Sequence, residues 1–491
     1  MLSFVSYIMV DFAIDPLEDL RASTSPNKEQ LIANRSAMLM LDKSPLERYW
    51  SWLIGFVQGD FGIAWQTQQK VGDMLPNAIS TSVSLVLMAT VLAIILGVIV
   101  GVVSALRQYT GFDYAITFVS FVLYSLPVFW VAVLLKQYLA IGLNDFLAKP
   151  EPNWLLVAAG SILCGLFWMG AIGGKPGRLA LVFASATAAT FAVVVFILIS
   201  GWLDHPSIGI VGLSVIAIAS AIVVTMLFAG LANRRALYSA LTVAAIGIAL
   251  YYPLQWYFYF FEMDWLYIFE LLGAAILVGL GVGWLFGGPD RAVSMRGGAL
   301  TALLTSVVVF VDRVLQVYPQ YYASGKIRGR PIATIGAETP SLHADFWTTQ
   351  LDRFTHILLP TIALVLISFA SYTRYQRGSM LEVMSQDYIR TARAKGLSER
   401  VVIMRHALRN ALMPLTAIVP IDFLTLIGGA IITETIFGWS GMGKLFNDAL
   451  KAAEIDPVMA YIVLVGGVTM LANILADFCY GLLDPRIRVN A

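Results

Sequence analysis

The chain has 491 residues, of which 58% are hydrophobic and 13% are charged, with 32 Lys and Arg side chains against 31 Asp and Glu. A soluble protein of this length is not so apolar, and the composition predicts an all-α polytopic membrane protein. The net charge of +1 points to no class of partner.

The amino-terminal apolar segment, Leu2 to Ile14, contains Asp11 and is short. A helix needs about 20 apolar residues to cross a bilayer, so this segment cannot span. It also lacks the basic flank of a signal peptide. We expect it to be a truncated first helix of a membrane core, through a misassigned start codon or a shortened sequence.

The next segment, Asp15 to Asn77, is long enough to fold outside the membrane. Within it, Ser44 and Glu47 have the spacing of a helix capping box. Apolar residues follow at helical spacing, which predicts a helix within Ser44–Trp65 that lies at the outer membrane surface. Its aromatic residues are expected to be interfacial anchors. The apolar positions are Tyr49, Trp50, Leu53, Ile54 and Val57.

Eleven later segments are apolar and long enough to cross the membrane as helices, which satisfy their own backbone hydrogen bonds. They are Ile79–Ala105, Tyr114–Ile141, Trp154–Ile172, Leu179–Trp202, Ile208–Leu231, Leu237–Phe260, Trp265–Phe286, Ala299–Val317, His356–Tyr375, Ala411–Ile432 and Val458–Leu483.

The short loops between these spans alternate between basic and acidic or neutral. Because basic loops stay on the cytoplasmic side, the alternation places residues 374–409 and the carboxyl terminus inside. It places residues 15–77 and 318–353 outside, although "SGKIRGR" (Ser324–Arg330) is basic. The basic inner loops are Arg107–Asp113, Gly173–Arg178, Ala232–Arg235 and Gly287–Gly297.

The inner segment from Arg374 to Arg409 carries eight Lys and Arg side chains against three acids. Within it, Asp387–Leu397 is predicted to be a short helix that stops at Gly396. Ala392, Ala394 and Gly396 are small and would let another backbone approach closely. From the residues alone, a positive-inside signal and a docking segment for a soluble partner are equally good interpretations.

The stretch "SMLEVMSQDYIRTARAKGLSERVVIMRHALRNALMPL" resembles the inner-loop signature of permease subunits of ABC importers, in the dipeptide and oligopeptide branch. The family's EAA triplet corresponds to Arg390, Thr391 and Ala392, and its glycine to Gly396. The Glu is absent, and Pro414 lies farther from Gly396 than in the generic motif, as is typical of the peptide branch. The resemblance continues in "GDFGIAW" (Gly59–Trp65), "LPVFW" (Leu126–Trp130), "ILLPTIAL" (Ile357–Leu364), "GGAIITETIFGWSGMGKL" (Gly428–Leu445) and "DPRIR" (Asp484–Arg488).

The resemblance implies a permease core of six helices, the first of them truncated, in two parts. Residues 1–145 would hold the short helix, the outer region 15–77 and two spans. Residues 318–491 would hold the outer loop 318–353, three spans and the cytoplasmic coupling loop 376–410. Residues 146–317 match nothing of the family and are expected to be an inserted bundle of about six helices with a structural or interaction role.

The resemblance also implies partners: two ATPase subunits, a second homologous permease in a heterodimer, and an extracytoplasmic peptide-binding protein. The coupling helix would transmit the closing motion of the ATPases, and ATP and Mg would bind only to those subunits. Charge or bulk at Ala392 or Gly396 is expected to uncouple uptake without preventing membrane insertion. The coupling residues are Arg390, Thr391, Ala392, Arg393, Ala394, Lys395, Gly396 and Leu397.

The function implied is peptide import across the cytoplasmic membrane by a transporter subunit that is not itself an enzyme. "GWSGMGKL" (Gly438–Leu445) begins like a phosphate-binding loop but has Leu445 where Ser or Thr is needed. The alternatives are another solute of the same branch, such as a nickel chelate, and a polytopic membrane scaffold or enzyme. An enzyme would need a clustered catalytic site, which the sequence does not show.

Intramembrane polar residues and helix-breaking prolines mark candidates for the translocation pathway, since charge in lipid is costly. Gly428 and Gly429 are expected to allow close helix packing. Cys164 and Cys479 lie in apolar runs and are expected to be free thiols, and the four histidines share no metal-ligand spacing. The pathway and gate candidates are Asp422, Pro127, Phe129, Trp130 and Glu434.

Overall fold

A computed structural model of the chain describes residues 2–13, 15–288 and 291–483. In these ranges the chain is helical almost throughout and has nine helices that could cross a membrane, or eleven if each of two bent pairs is one span. The predicted all-α polytopic class is therefore confirmed. The helices form two compact units: Met1–Ala140 with Thr334–Ala337 and His356–Ala491, and Ile141–Ala333 with Glu338–Thr355.

The first unit begins with four short helices and a two-stranded antiparallel sheet, in which Ile63 pairs with Lys70. A long helix follows, and its 36 residues correspond to about 54 Å. These elements are α1 (Leu2–Ala13), α2 (Glu18–Ala22), α3 (Lys28–Met38), α4 (Pro45–Val57), β1 (Ile63–Ala64), β2 (Gln69–Lys70) and α5 (Val71–Leu106).

The predicted capping box starts α4. The Ser44 hydroxyl accepts the Glu47 N–H at 3.3 Å, and the Ser44 N–H donates to Glu47 Oε2 at 3.1 Å. The apolar face of α4 divides in two. Tyr49 and Trp52 are buried against Tyr7, whereas Trp50, Ile54 and Val57 are more than half exposed. The exposed part is the one that fits an interfacial anchor.

The predicted single span Tyr114–Ile141 is wrong, because the helix breaks at Leu126 and Pro127. Proline lacks an N–H and restrains the preceding residue to extended backbone, and Leu126 has a ψ of 130°. Three α-helices and a π-helical turn replace the predicted span. The last two α-helices and the turn between them form the continuous segment Val128–Ala148, which is long and apolar enough to cross a membrane. The pieces are α6 (Gly111–Ser125), α7 (Val128–Leu134), the π-helical Leu135–Ile141 and α8 (Gly142–Ala148).

The second unit contains all of residues 146–317, the predicted insertion. The predicted span Leu237–Phe260 is two helices bent by 42° at Leu250. The boundaries of the predicted domains remain a prediction. The helices are α9 (Trp154–Ile172), α10 (Pro176–Ile199), α11 (Gly209–Phe228), α12 (Arg234–Ala249), α13 (Tyr251–Phe260), α14 (Trp265–Gly287), α15 (Arg291–Gln316) and α16 (Tyr318–Ala323).

A buried carboxylate organises this bundle. Asp312 of α15 is fully buried and accepts hydrogen bonds from the backbone N–H groups of Ile208 and Gly209 at 2.6 and 3.1 Å. Its other oxygen accepts from the Tyr251 hydroxyl at 2.7 Å and from Gln316 at 2.8 Å. Buried ionisable groups in membrane bundles need such partners, and these join α15 to the starts of α11 and α13.

The remaining helices differ from the predicted spans at their ends. α17 begins at Phe346, inside the predicted outer loop 318–353, and its 39 residues correspond to about 58 Å. The predicted Ala411–Ile432 shortens to α21, which is bent by 44° from the preceding segment. The helices are α17 (Phe346–Met384), α18 (Asp387–Ala394), α19 (Glu399–Val401), the π-helical Val402–Ala407, α20 (Leu408–Ala411), α21 (Met413–Gly429), α22 (Ile431–Phe437), α23 (Met442–Lys451) and α24 (Ile455–Leu483).

Candidate functional site

The predicted coupling helix is α18, which ends at Ala394, three residues before the predicted end. Gly396 has a φ of +74°, the left-handed conformation that glycine adopts without strain. The N–H of Gly396 donates to Arg393 O at 2.9 Å, and the N–H of Leu397 donates to Ala392 O at 3.4 Å. These two bonds form a Schellman motif, so Gly396 stops the helix as predicted.

One face of α18 is held by its own chain. Ile389 is fully buried and Ala392 is 7% exposed. They pack with apolar residues of α5, α17 and the π-helical turn. The expectation that Ala392 lets a partner backbone approach therefore needs correction, because its methyl group points into the chain's own core. The cluster consists of Ala105, Met380, Ile389, Ala392, Val402, Ala407 and Ala411.

The opposite face of α18 is exposed, and we call it the α18 outward face. Arg393 is held by Glu399, to which it donates at 3.2 and 2.7 Å. Arg390 makes only an exposed 3.3 Å ion pair with Asp387. Ala394 is exposed between these cations and carries only a methyl group, so a larger side chain there would project from the surface. The outward face consists of Arg390, Thr391, Arg393, Ala394, Lys395 and Leu397.

The segment after α18 folds back on it. The Asn410 side chain donates to the Tyr388 hydroxyl at 2.8 Å. Val402 and Ala407 at the two ends of the π-helical turn are fully buried, whereas Arg405 and Arg409 are exposed. The cations therefore share the solvent side of a packed helical segment.

A buried ion pair, which the sequence did not predict, lies close to this segment. Arg377 of α17 donates to Asp113 of α6 at 2.6 and 2.9 Å. Asp113 is 2% exposed and also accepts from the Ser104 hydroxyl at 2.5 Å and the Tyr109 N–H at 3.1 Å. The Arg377 guanidinium holds the pKa of Asp113 below its ordinary value, against desolvation.

This ion pair and the cluster behind α18 are neighbours along both helices. Ser104 precedes Ala105 on α5, and Met380 follows Arg377 by one turn on α17. α5 also approaches α17 closely: a Cβ on Gly97 would lie 2.7 Å from Tyr372 Cβ, and one on Gly101 would lie 2.8 Å from Thr373 O. α18 therefore rests on α5 and α17, which approach closely along their backbones. Both helices also contact Asp113 of α6, α5 through Ser104 and α17 through Arg377.

A second buried carboxylate lies in the "GWSGMGKL" region. Glu434 of α22 is fully buried. Its carboxylate accepts from the Ser82 hydroxyl at 2.5 Å and from the Lys444 N–H at 2.9 Å. Ser82 in turn accepts the Met442 N–H at 2.8 Å. Desolvation raises the pKa of Glu434, and these hydrogen bonds oppose the rise.

In this arrangement the N–H groups that follow the glycine-rich loop are bonded within the chain. The first N–H groups of α23, which a phosphate would occupy in a phosphate-binding loop, already donate to Glu434 and Ser82. Glycine at 441 allows the backbone to lie close to the Glu434 side chain, since a Cβ there would be 2.4 Å from the Glu434 carboxyl carbon. The loop is held by the buried Glu434 side chain.

The five predicted pathway residues are not brought together. Pro127 begins α7, and Phe129 and Trp130 are 50% and 47% exposed on it. α7 packs against α22, but Glu434 points away from solvent. Asp422 is half-buried on α21, where it interacts with the fully buried Tyr372. Their role in a pathway remains a prediction.

Several sequence features lie outside what the structure describes: the "DPRIR" motif at 484–488, the packing around Gly428 and Gly429, and the Cys479 side chain. Cys164 is a free thiol that accepts a hydrogen bond from the Thr190 hydroxyl at 3.2 Å. Among the described residues, no three His, Cys, Asp or Glu side chains are grouped as metal ligands.

Residues 223–489, more than half of the chain, match the family described as "Binding-protein-dependent transport system inner membrane component". The matched range begins inside the predicted insertion, so that boundary stays a prediction.

Three relatives have peptide transport in their names. The chain is 41% identical over 155 residues to the "Oligopeptide transport system permease protein OppB" of Mycobacterium tuberculosis, across 32% of this chain and 48% of the relative. It is 46% identical over 138 residues to the "Dipeptide transport system permease protein DppB" of Escherichia coli, across 28% and 41%. It is 42% identical over 154 residues to the "Oligopeptide transport system permease protein AppB" of Bacillus subtilis, across 31% and 48%. Each match spans less than half of the relative's length.

Proposed function

The chain belongs to the family of binding-protein-dependent transport system inner membrane components, and we propose that it is the permease subunit of an ABC importer that carries dipeptides or oligopeptides. It is a multi-pass membrane protein. The relatives' names support the peptide substrate.

The observation that carries the proposal is the two-sided construction of α18. Its buried face fixes the helix to α5 and α17 through Ile389 and Ala392. Its outward face presents cations and the small Ala394 to solvent. A helix held on one side and exposed on the other can dock into a groove of a soluble partner. That partner would be an ATPase subunit, on which ATP and Mg would bind and hydrolysis would take place.

The complete importer would contain two ATPase subunits, a second homologous permease and an extracytoplasmic peptide-binding protein. The binding protein would dock on residues 15–77 and 318–353. The first of these regions is anchored to the start of α24 and the residue before it: the Gln66 N–H donates to Glu454 Oε1 at 2.7 Å and the Ile63 N–H donates to Asp456 Oδ2 at 3.2 Å. Closing of the ATPases would tilt the core helices and open the pathway alternately to each side.

Co-purification of ATPase subunits tests this proposal. The tagged chain is co-expressed with the ATPase and permease genes that neighbour its own gene. Wild type is expected to bring down two ATPase subunits and the second permease. Ala394→Glu places bulk and negative charge on the outward face and is expected to lower ATPase recovery about tenfold. The matched control is Ala33→Glu, which changes an exposed alanine of α3.

Ala392→Glu separates docking from folding. Because Ala392 is buried in the chain's own cluster, this variant is expected to lower the thermal unfolding midpoint, whereas Ala394→Glu leaves it unchanged. Equal ATPase recovery by wild type and Ala394→Glu would remove α18 as the docking element. Uptake of a labelled peptide by reconstituted vesicles tests the substrate class, and exclusive uptake of a nickel chelate would replace peptides by that solute.

A further inference from the structure

The second unit contains a polar cavity of about 560 Å³, lined in part by Glu262, Arg313, Gln320, Asp345 and Trp347. Arg313 is close to the end of α15, next to the buried Asp312. The Arg313 guanidinium carbon lies 6.0 Å from the centre of the Tyr259 ring and 5.9 Å from that of Trp347. A cation in an aromatic setting of this kind can bind an anionic group that enters the cavity.

Two residues that line this cavity each carry a donor that lacks a partner in the part of the chain that the structure describes. The donors are Arg313 Nε and the indole N–H of Trp347, both buried atoms. Trp347 as a whole is only 3% exposed. Arg313 makes one 3.3 Å hydrogen bond, to the Gln316 side chain, and no ion pair among the described residues. Buried donors without partners are costly unless a ligand supplies the acceptor.

The same cavity also presents negative charge. Glu262 and Asp345 both line it and are exposed. One Asp345 oxygen accepts the Thr348 N–H at 3.3 Å, and the carboxylate also interacts electrostatically with the Arg313 guanidinium. A ligand that carries a phosphate and an ammonium would satisfy both kinds of group. The phosphate would take Arg313 and the Trp347 N–H, and the ammonium would take Glu262 and Asp345.

An apolar groove of about 360 Å³ adjoins this cavity, and Phe258 lines both. The groove is formed by α12 to α15, and its lining is almost wholly hydrocarbon. Small residues, among them Gly247, Ala275 and Ala302, contribute to its walls. These helices are apolar enough to cross a membrane. A groove on a membrane bundle that ends in a charged cavity matches a molecule with a long hydrocarbon chain and a charged head.

We propose that the second unit binds a membrane phospholipid with a zwitterionic phosphate and ammonium headgroup, seated in the polar cavity with an acyl chain in the apolar groove. This site is separate from the α18 outward face and does not depend on the transport function. Its chemistry selects the lipid, because an anionic headgroup would meet Glu262 and Asp345 without a compensating ammonium.

Native mass spectrometry of the purified full chain tests the site, with phosphatidylethanolamine and phosphatidylglycerol added in equal amounts. Wild type is expected to retain phosphatidylethanolamine preferentially. Arg313→Gln removes the phosphate partner and should lower its retention about tenfold. Arg330→Gln removes an arginine that is 67% exposed in the same unit and should leave retention unchanged.

Two further variants address the headgroup and the chain separately. Glu262→Gln is expected to lower the preference for phosphatidylethanolamine over phosphatidylglycerol about threefold, since it removes one exposed ammonium partner. Ala275→Phe fills the groove and should lower retention of both lipids, whereas Leu277→Phe, at a position 68% exposed outside the groove, should not.

The proposal is overturned if wild type retains neither lipid, retains both equally or prefers phosphatidylglycerol. Wild-type retention by a folded Arg313→Gln variant overturns it as well. If Arg313→Gln does not fold, Glu262→Gln decides, because Glu262 is exposed and its replacement leaves the core intact. An unchanged lipid preference in Glu262→Gln then contradicts the headgroup assignment.

Discussion

Arg377→Met is expected to lower the free energy of unfolding by about 3–5 kcal/mol, because it leaves the Asp113 carboxylate buried without its cation. Asp113 is 2% exposed, and the Ser104 hydroxyl and Tyr109 N–H cannot neutralise it. The measurement is chemical or thermal unfolding of the purified chain in detergent, followed by tryptophan fluorescence.

The double variant Asp113→Asn with Arg377→Met is expected to recover most of this loss, since it removes both charges together. Arg390→Met is the control: its ion pair with Asp387 is 72% and 94% exposed, so the unfolding midpoint should stay at the wild-type value. If Arg377→Met unfolds at the wild-type midpoint, the ion pair does not stabilise the helices against which α18 packs.

The pH dependence of this ion pair has a definite sign. The pKa of Asp113 is lower in the folded chain than its ordinary value of 3.8. Its contribution to stability is therefore complete above that ordinary value and is lost as the pH falls through the lower folded value. Arg377→Met should remove this loss of stability at acid pH, because the guanidinium that lowers the pKa of Asp113 in the folded chain is gone.

Glu434→Ala is expected to cost about 3–5 kcal/mol as well, through a cavity and through buried donors left without an acceptor. The Lys444 N–H and the Ser82 hydroxyl both lose their partner. Glu434→Gln keeps the volume and one oxygen and should cost about 1 kcal/mol. The same unfolding measurement in detergent compares the two variants.

Two glycine substitutions test the close packing around Glu434. Gly441→Ala would place a methyl group 2.4 Å from the Glu434 carboxyl group and 2.5 Å from Ser82 Oγ, so it should destabilise the chain. Gly467→Ala adds a methyl group with no atom within 4 Å and should not. If the two variants unfold alike, the close approach at Glu434 does not contribute to stability.

The pH dependence at Glu434 has the opposite sign. Burial raises its pKa above the ordinary 4.5, so the folded chain favours the protonated acid. Stability is then lost as the pH rises from that ordinary value through the raised one. Glu434→Gln cannot titrate, and its stability should be flatter with pH over this range than that of wild type.

The helical class and most of the membrane-crossing helices could be predicted from the sequence, because membrane crossing depends on length and apolar composition. The capping box at Ser44 and the stop at Gly396 could also be predicted, since each depends on contacts within one turn. The break at Pro127 was visible in the sequence as a helix-breaking residue, yet the apolar composition around it indicated a continuous span.

The buried pairs could not be predicted, because their partners are far apart in the chain. Asp113 and Arg377 are 264 positions apart, and Ser82 and Glu434 are 352 apart. Asp113 follows Thr110 with the spacing of a helix cap, which indicates a helix start but not a partner on α17. Which side of α18 is buried depends likewise on Met380 and Val402, and no local pattern marked Ala392 as inward and Ala394 as outward.

The glycine contacts between α5 and α17 have a mechanical consequence. With Gly97 and Gly101 against the backbone of α17, the two helices cannot slide past each other without collision. They pack as one unit, and near its cytoplasmic end Arg377 of α17 and Ser104 of α5 both bind Asp113 of α6. A displacement of α18 would therefore tilt α5 and α17 together about Asp113, and the shift of each helix would increase with its distance from that residue.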